Sequence, residues 1–183
     1  GLAAMVMALL SPVIVLALLA LATGAAIITI PWSAPLFGRL LEGIGLGATL
    51  NLSSLRRLDI WQSFSRVVED RPLLGWGIEG SHAVGRHADP AEWTVGPVHH
   101  PHNPLLQIWV DLGAIGAALA AIALILLVLS IRLLPRERQP FALGCYAAAL
   151  TIAAVSHGLW QTWWLALLMT CTILFTIQAK PAS

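Results

Sequence analysis

Four long stretches of this chain contain no charged side chain, and they limit the folds that the chain can adopt. They cover residues 2–30, 112–131, 141–158 and 162–178 of its 183 residues. About 20 consecutive apolar residues are enough for a helix to cross the hydrocarbon core of a bilayer. Only 10% of all residues are charged, against roughly 25% in ordinary soluble domains. The sequence therefore predicts an all-α integral membrane protein with about four transmembrane helices.

The charged residues between these stretches predict how the chain is organised and oriented. We expect a first span at 1–30, a large polar region at 31–104, and three further spans in 105–183, interrupted by the short loop 132–140. That loop contains three arginines, and positive charge in a short loop stays in the cytoplasm. The polar region, which holds five of the six histidines, is then extracytoplasmic, and we expect the function to reside there.

Apolar residues recur every three or four positions over 55–70, which predicts an amphipathic helix within the polar region. They are Leu55, Leu58, Trp61, Phe64, Val67 and Val68. Pro72 should end this helix, and Gly75 and Gly77 permit a turn with positive φ after it. Residues 81–97 show no periodicity, and we expect an irregular segment there.

Three histidines crowd ahead of the second span in the segment HHPHNPLL, residues 99–106. Asn103 followed by Pro104 is a typical helix start, with asparagine as the N-cap and proline at the first helical position. His102 then stands at a helix N-terminus near the membrane surface, where free N–H groups and the helix dipole favour a phosphate. A metal site is the weaker interpretation, because Pro101 separates the histidines and no well-spaced further ligand follows. We predict no metal.

Two arginines lie near the start of the amphipathic helix, and one of them shares a face with an indole. Arg57 and Trp61 are four residues apart, so the guanidinium can stack on the ring while its fork stays free for a phosphate. Arg56 points about 100° away from that face and is the poorer candidate.

Four motifs follow one another between the predicted spans: Arg-x-x-x-Trp, Pro-x-x-Gly-x-Gly, His-Asn at a span start, and Leu-Gly-x-x-Gly. In the sequence they stand as SSLRRLDIW, RPLLGWGIEG and HPHNPLLQIWVDLGAIGAAL. With these motifs, residues 50–125 resemble the shared domain of bacterial O-antigen ligases and of related O-antigen and exopolysaccharide polymerases. Because the chain begins directly within an apolar stretch, it looks like the C-terminal portion of such a protein.

The resemblance implies a multi-pass glycosyltransferase of the bacterial inner membrane, with its active site on the periplasmic side. Such an enzyme transfers a glycan from an undecaprenyl-pyrophosphate carrier to an acceptor hydroxyl, here that of lipid A-core. The family's functional arginine corresponds to Arg57 and its functional histidine to His102, and we take both as catalytic. A second functional arginine has no clear counterpart, since Arg39, the only earlier arginine, shows no motif. We assign substrate binding to five neighbouring residues: Arg56, Trp61, His99, His100 and Asn103.

The residue types fit this chemistry without the family name. Transfer from a glycosyl pyrophosphate needs a cation for the leaving pyrophosphate and a base for the acceptor proton, and arginine and histidine supply these. The acidic residues of the polar region are dispersed and form no DxD-like pair, so we expect neither a metal nor another cofactor. Asp111, within the first two turns of the second span, either partners Arg57 or His102 or faces water.

Alternative functions differ in acceptor or in class. A polymerase of O-antigen or exopolysaccharide, or a protein O-oligosaccharyltransferase, would use the same motifs with another acceptor. A non-enzymatic membrane transporter or metal-uptake component, with HHPH as its metal loop, would need ionisable residues within the spans, and the third and fourth predicted spans have almost none. The expected partners are the lipid-linked donor, lipid A-core or a polysaccharide acceptor, and membrane lipids. Nucleic acid is excluded, because the net charge is only +1 and no basic patch is present.

Overall fold

The computed structural model describes residues 12–45, 52–87, 98–155 and 158–163, together with residues 165, 166, 169, 170 and 173. This part of the chain is all-helical, which confirms the predicted class for the described residues. The helices are α1 (Pro12–Gly43), α2 (Leu52–Asp70), α3 (Gly80–His87), α4 (Pro104–Ser130) and α5 (Gln139–Val155), with a 3-10 helix (Ile131–Leu133) between the last two.

Two helical stretches of the described residues are long and apolar enough to cross a membrane, Val13–Ser33 and Pro104–Leu133. A shorter apolar helix, Gln139–Ala153, lies at the place of the third predicted span. Most of the fourth predicted span, 162–178, lies outside the described residues. The structure thus contains two candidate membrane-spanning helices in its described part, and the number of four stays a prediction.

Helix α1 continues past residue 30, where we placed the end of the first span, and runs through two prolines to Gly43. Proline has no N–H, so Pro31 leaves the carbonyl oxygen of Ile27 without its helical partner. The indole N–H of Trp109 in α4 donates to this oxygen at 2.7 Å. The helix tolerates this proline because another helix supplies the missing donor.

Helix α2 is the predicted amphipathic helix, and it extends back to Leu52. Its apolar side chains pack in one core with Leu106 of α4 and Ile27 of α1. Complete burial of a phenylalanine such as Phe64 stabilises the fold by about 1.5–3 kcal/mol. The helix ends two residues before Pro72, as predicted. The buried apolar residues of α2 are Ile60, Phe64, Val67 and Val68.

The expectation of an irregular segment over 81–97 is wrong for its first part, because Gly80–His87 forms α3. The backbone N–H of Ser81 donates to the carboxylate of Asp111 at 2.7 Å, which anchors the first turn. A tertiary contact therefore decides the conformation of a stretch whose own pattern favours no structure. Residues 88–97 lie outside the described part of the chain.

A second core holds the three apolar helices together. The hydroxyl groups of Thr23 in α1 and Tyr146 in α5 hydrogen bond across it at 3.1 Å. The candidate site lies beside the first core, around Ile27 and Leu106. The buried members of the second core are Val15, Leu16, Ala20, Val128, Ile131, Ala142, Leu143 and Tyr146.

Candidate functional site

Helix α4 begins as the sequence predicts, with Asn103 as its N-cap and Pro104 at the first helical position. The side-chain oxygen of Asn103 accepts hydrogen bonds from the N–H groups of Leu105 at 3.0 Å and of Leu106 at 3.2 Å. The next N–H, that of Gln107, donates to the Asn103 carbonyl at 2.9 Å. Proline has no N–H, so the N–H groups of Leu105, Leu106 and Gln107 are all occupied within the protein. A phosphate at this helix N-terminus would receive no hydrogen bond from them, and the phosphate site stays a prediction.

His102 directly precedes this cap and has a left-handed backbone, with φ of 51°. Its backbone N–H donates to Nδ1 of His100 at 3.3 Å. The two imidazole rings lie edge to face, with centroids 4.2 Å apart. His102 remains partly exposed. The structure thus fixes the backbone of this histidine from both sides and leaves the residue partly exposed.

The first histidine of the segment, His99, pairs with a residue of α3. Its ring lies 4.6 Å from the ring of His82, measured between centroids. In the described residues, no group of three or more histidine, cysteine, aspartate or glutamate side chains is placed to hold a metal ion. These histidines therefore meet ring to ring, in two separate pairs.

The two arginines at the start of α2 are placed differently. Arg56 is exposed, whereas Arg57 is partly buried and begins the face that continues seven residues later at Phe64. No hydrogen bond or ion pair joins the Arg57 guanidinium to any residue in the described ranges. Phe64 packs against Gly85, which meets the carbonyl of Val98 at the entrance to the histidine segment. Helix α2 therefore lies beside the histidines, but no hydrogen bond connects Arg57 to them.

The predicted stack of Arg57 on Trp61 does not form, and both residues lie within the part of the chain that the structure describes. Trp61 packs against the core instead, and its indole N–H is buried without a hydrogen-bond partner among the described residues. A guanidinium–indole stack forms between Arg71 and Trp76, with the Arg71 Cζ 4.2 Å from the ring centroid. A role of Trp61 in substrate binding stays a prediction.

A buried polar cluster that our sequence analysis missed lies two turns into α4, around Asp111. This residue is completely buried, and its carboxylate accepts hydrogen bonds from Ser81, Gln107 and Trp160. The cluster ties α3 and α4 to the turn at 158–160. The donors are the backbone N–H of Ser81 at 2.7 Å, Nε1 of Trp160 at 2.6 Å and Nε2 of Gln107 at 3.2 Å.

The expectation that Asp111 partners Arg57 or His102 is wrong, because its oxygens are already bonded to α3, to α4 and to the 158–160 turn. One signal in the sequence pointed to the cluster: Gln107 and Asp111 stand four residues apart, on one face of an apolar helix. The other partners lie 30 and 49 positions away from Asp111, beyond the reach of any local pattern.

The 158–160 turn also connects this cluster to the histidines. The N–H of Leu159 donates to Oε1 of Gln107 at 2.6 Å. Gly158 packs against His100 so closely that a Cβ on this glycine would lie 3.2 Å from Cγ of the ring. The turn is therefore bonded to α4 on one side and supports a histidine ring on the other.

Helix α4 is interrupted at Gly113, whose φ of 63° and ψ of −163° lie outside the helical region. The interruption removes two helical hydrogen bonds and leaves two carbonyls and two N–H groups of α4 without helical partners. The loop 71–79 supplies a partner for each of the four. We call this joint between the loop 71–79 and residues 110–115 the backbone splice. Its hydrogen bonds run from Trp76 to Val110 (2.9 Å), Gly77 to Asp111 (2.8 Å), Ala114 to Pro72 (2.7 Å) and Ile115 to Leu73 (3.2 Å).

Two glycines make the backbone splice possible. A Cβ on Gly75 would lie 2.6 Å from the carbonyl of Asp111, and a Cβ on Gly113 would overlap the carbonyl of Leu73. Both glycines also have positive φ. The Pro-x-x-Gly-x-Gly and Leu-Gly motifs of the sequence therefore meet in space, and their glycines serve close backbone approach.

Comparison with known proteins matches residues 1–121 to a family described as O-antigen ligase. Curated relatives include proteins of two Rickettsia species, each provisionally named a polysaccharide ligase. The protein of Rickettsia conorii is 26% identical over 136 residues, which cover 70% of this chain and 33% of the relative. The protein of Rickettsia prowazekii is 29% identical over 135 residues, with the same coverage of 70% and 33%. The chain thus spans about one third of the length of these relatives. No solved structure matches it.

Proposed function

This chain belongs to the O-antigen ligase family, and we propose that it carries the catalytic residues of a bacterial membrane glycosyltransferase. The proposed reaction transfers a glycan from an undecaprenyl-pyrophosphate carrier to a hydroxyl group of lipid A-core. One observation carries this proposal: His102 is partly exposed, held by its neighbours, and placed directly before the start of a long apolar helix.

His102 is the proposed general base. An imidazole titrates near neutral pH, so it suits removal of the proton from the acceptor hydroxyl as this oxygen attacks the anomeric carbon of the glycan. The bond between that carbon and the pyrophosphate oxygen breaks, and undecaprenyl pyrophosphate leaves with the electron pair. Its growing negative charge requires a cation in the site.

Arg57 is the proposed ligand of the leaving pyrophosphate. Its guanidinium has no hydrogen-bond or ion-pair partner in the described part of the chain, so its fork is available for a bidentate contact. The N-terminus of α4 does not compete for this role, because Asn103 occupies its N–H groups. The exposed Arg56 is the proposed second contact, and we retain Trp61 and His99 as proposed substrate contacts.

A cavity of about 230 Å³ between α1, the first turn of α4 and α5 supports a lipid-linked donor. Leu105, three residues after His102, forms one of its walls. Because most of its lining atoms are apolar, the first isoprene units of the carrier would be favoured there. The lining residues are Thr23, Ala26, Ile27, Leu105, Leu150 and Thr151.

We place the reaction on the periplasmic side of the inner membrane. The arginines of the loop 132–140 are exposed and follow the end of α4, whereas the break at Gly113, to which the loop 71–79 is bound, lies at the other end of the stretch 114–133. Positive charge in a short loop stays in the cytoplasm, so the end of this stretch at Gly113 is assigned to the periplasm.

The test uses the complete gene product in a strain that lacks its own copy. His102→Ala and Arg57→Ala should each lower the amount of surface glycan at least about 100-fold, since each removes a group that acts in the transition state. Arg66→Ala is the matched control, because Arg66 lies on the opposite face of α2 and is exposed. Normal glycan in both variants, at normal protein level, would refute the proposal.

The acceptor class needs a separate measurement. Mass spectrometry of the glycan product distinguishes attachment to lipid A-core from attachment to a protein or to longer copies of the glycan. Attachment to lipid A-core is the expected result, and either other product would assign the chain to a protein O-oligosaccharyltransferase or to a polymerase.

A further inference from the structure

We propose that His100 is a positioning residue, whose Nδ1 holds His102 in the backbone conformation that aims its imidazole at the substrate. This inference rests on the proposed role of His102 as the base. It changes the expected role of His100, which our sequence analysis assigned to substrate binding.

The first step is the hydrogen bond between the two residues. The backbone N–H of His102 donates to Nδ1 of His100 at 3.3 Å. A ring nitrogen accepts a hydrogen bond only when it carries no proton, so the proton of the neutral His100 ring lies on Nε2. Nδ1 is therefore engaged inside the protein.

The second step concerns the backbone of His102, whose φ of 51° is uncommon for any residue other than glycine. Such a conformation persists only where the surroundings enforce it. The hydrogen bond to His100 acts on the N–H of His102, and the cap formed by the next residue, Asn103, fixes the chain on the other side. The His102 ring itself packs edge to face on the His100 ring, with centroids 4.2 Å apart.

The third step is the support behind His100. Gly158 packs on its ring, at a distance where a Cβ would lie 3.2 Å from Cγ and 3.3 Å from Cδ2. The same turn is bonded to α4 through Leu159 and Gln107 at 2.6 Å, and through Trp160 to the buried carboxylate. A continuous series of contacts therefore leads from the buried polar cluster through His100 to His102.

Two substitutions of His100 distinguish positioning from substrate binding. In His100→Asn the amide oxygen takes the place of Nδ1, whereas in His100→Gln it reaches the place of Nε2. Glycan transfer by the purified complete gene product is measured as kcat, and as KM for the lipid-linked donor. His100→Asn should keep kcat within about threefold of the unmodified protein, and His100→Gln should lower it about 100-fold with KM unchanged, as expected for a misplaced base.

The opposite pattern overturns the inference. A retained kcat in His100→Gln with a loss in His100→Asn would show that Nε2 contacts the substrate. Equal activity of the two variants, or a raised KM as the main effect, would also refute positioning. His102→Ala is measured in parallel. If this variant keeps full activity, the proposed function is refuted. If it is inactive but the two His100 variants do not differ as expected, only the positioning role of His100 is refuted.

Substitution of Gly158, which packs on the His100 ring, tests the positioning role independently. Gly158→Ala pushes a methyl group against His100 and should lower kcat, because the ring must shift by a few tenths of an ångström. Gly144→Ala is the matched control, since nothing lies within 4 Å of its added Cβ. Equal kcat values for these two alanine variants would contradict the support role of the 158–160 turn.

Discussion

The backbone splice predicts that Gly113→Ala destabilises the protein severely. Alanine cannot adopt the φ of 63° and ψ of −163° of this position without strain, since that region is open to glycine almost alone. Its Cβ would also overlap the carbonyl of Leu73, so the loop 71–79 would have to withdraw. Withdrawal leaves two carbonyls and two N–H groups of α4 without partners.

The size of the effect follows from these two contributions. The strained backbone costs about 1–3 kcal/mol. The four hydrogen bonds of the backbone splice contribute about 1 kcal/mol each, or about 4 kcal/mol if the loop leaves completely. The expected loss is therefore about 6 kcal/mol, which corresponds to a fall of roughly 12–24 °C in the midpoint of thermal unfolding for a cooperative unit of about 150–250 residues.

The measurement is thermal unfolding of the complete gene product in detergent, followed as the monodisperse fraction left after heating. Gly77→Ala is an intermediate control, because this residue has φ of 93° but no atom within 4 Å of an added Cβ. Gly144→Ala, within α5 and with open space around it, should be neutral or slightly stabilising. The unfolding midpoints should rank Gly144→Ala, Gly77→Ala, Gly113→Ala from highest to lowest, and a Gly113→Ala midpoint equal to that of Gly144→Ala would refute the reasoning.

Three further predictions concern other contacts. Trp109→Phe removes the donor to the Ile27 carbonyl and should lower the free energy of unfolding by about 1–3 kcal/mol. Pro31→Ala restores a helical N–H to that carbonyl, so the double variant should recover part of this loss. Asp111→Asn places an amide NH2 group opposite at least one buried donor and should lower the free energy of unfolding by about 2–3 kcal/mol. Asp59 is exposed, so the control Asp59→Asn should leave the unfolding midpoint unchanged. Chelation of divalent cations with EDTA should leave glycan transfer unchanged, and a loss that added metal restores would revive the metal interpretation of the histidine segment.

Local features of this fold were predictable, because neighbouring residues determine them. Asn103 and Pro104 start a helix through groups within three residues of each other. The amphipathic pattern predicted α2, because the spacing of its apolar residues places them on one face of a helix. The end of α2 ahead of Pro72 follows from proline's effect on the preceding backbone.

Contacts between distant residues decided the features that sequence reasoning missed. Helix α3 depends on the hydrogen bond from the Ser81 N–H to Asp111, and no local sequence pattern predicts that these two residues meet. The stack of Arg57 on Trp61 was wrong because the core competes for the same indole. The motif with Gly75 was visible in the sequence, but its role required knowing which other backbone approaches it.

The break in α4 also changes what this helix does in a membrane. Gly24 and Ile27 are three residues apart in α1, about 4.5 Å along the helix axis. Gly24 packs against Ile125, and the Ile27 carbonyl binds the indole of Trp109, although these two residues of α4 would be about 24 Å apart in a straight helix. The break at Gly113 must therefore turn the first part of α4 back alongside α1.

The part of α4 that follows the break is sufficient to cross the bilayer. Residues 114–133 would rise about 30 Å, which equals the thickness of the hydrocarbon core. The part before the break, residues 104–112, is therefore not needed for crossing; it packs against α1 through Trp109, and Pro101 and Asn103 ahead of it are buried in protein. Its first turn returns toward the apolar stretch of α1, where Leu105 lines a cavity together with Thr23 and Ile27.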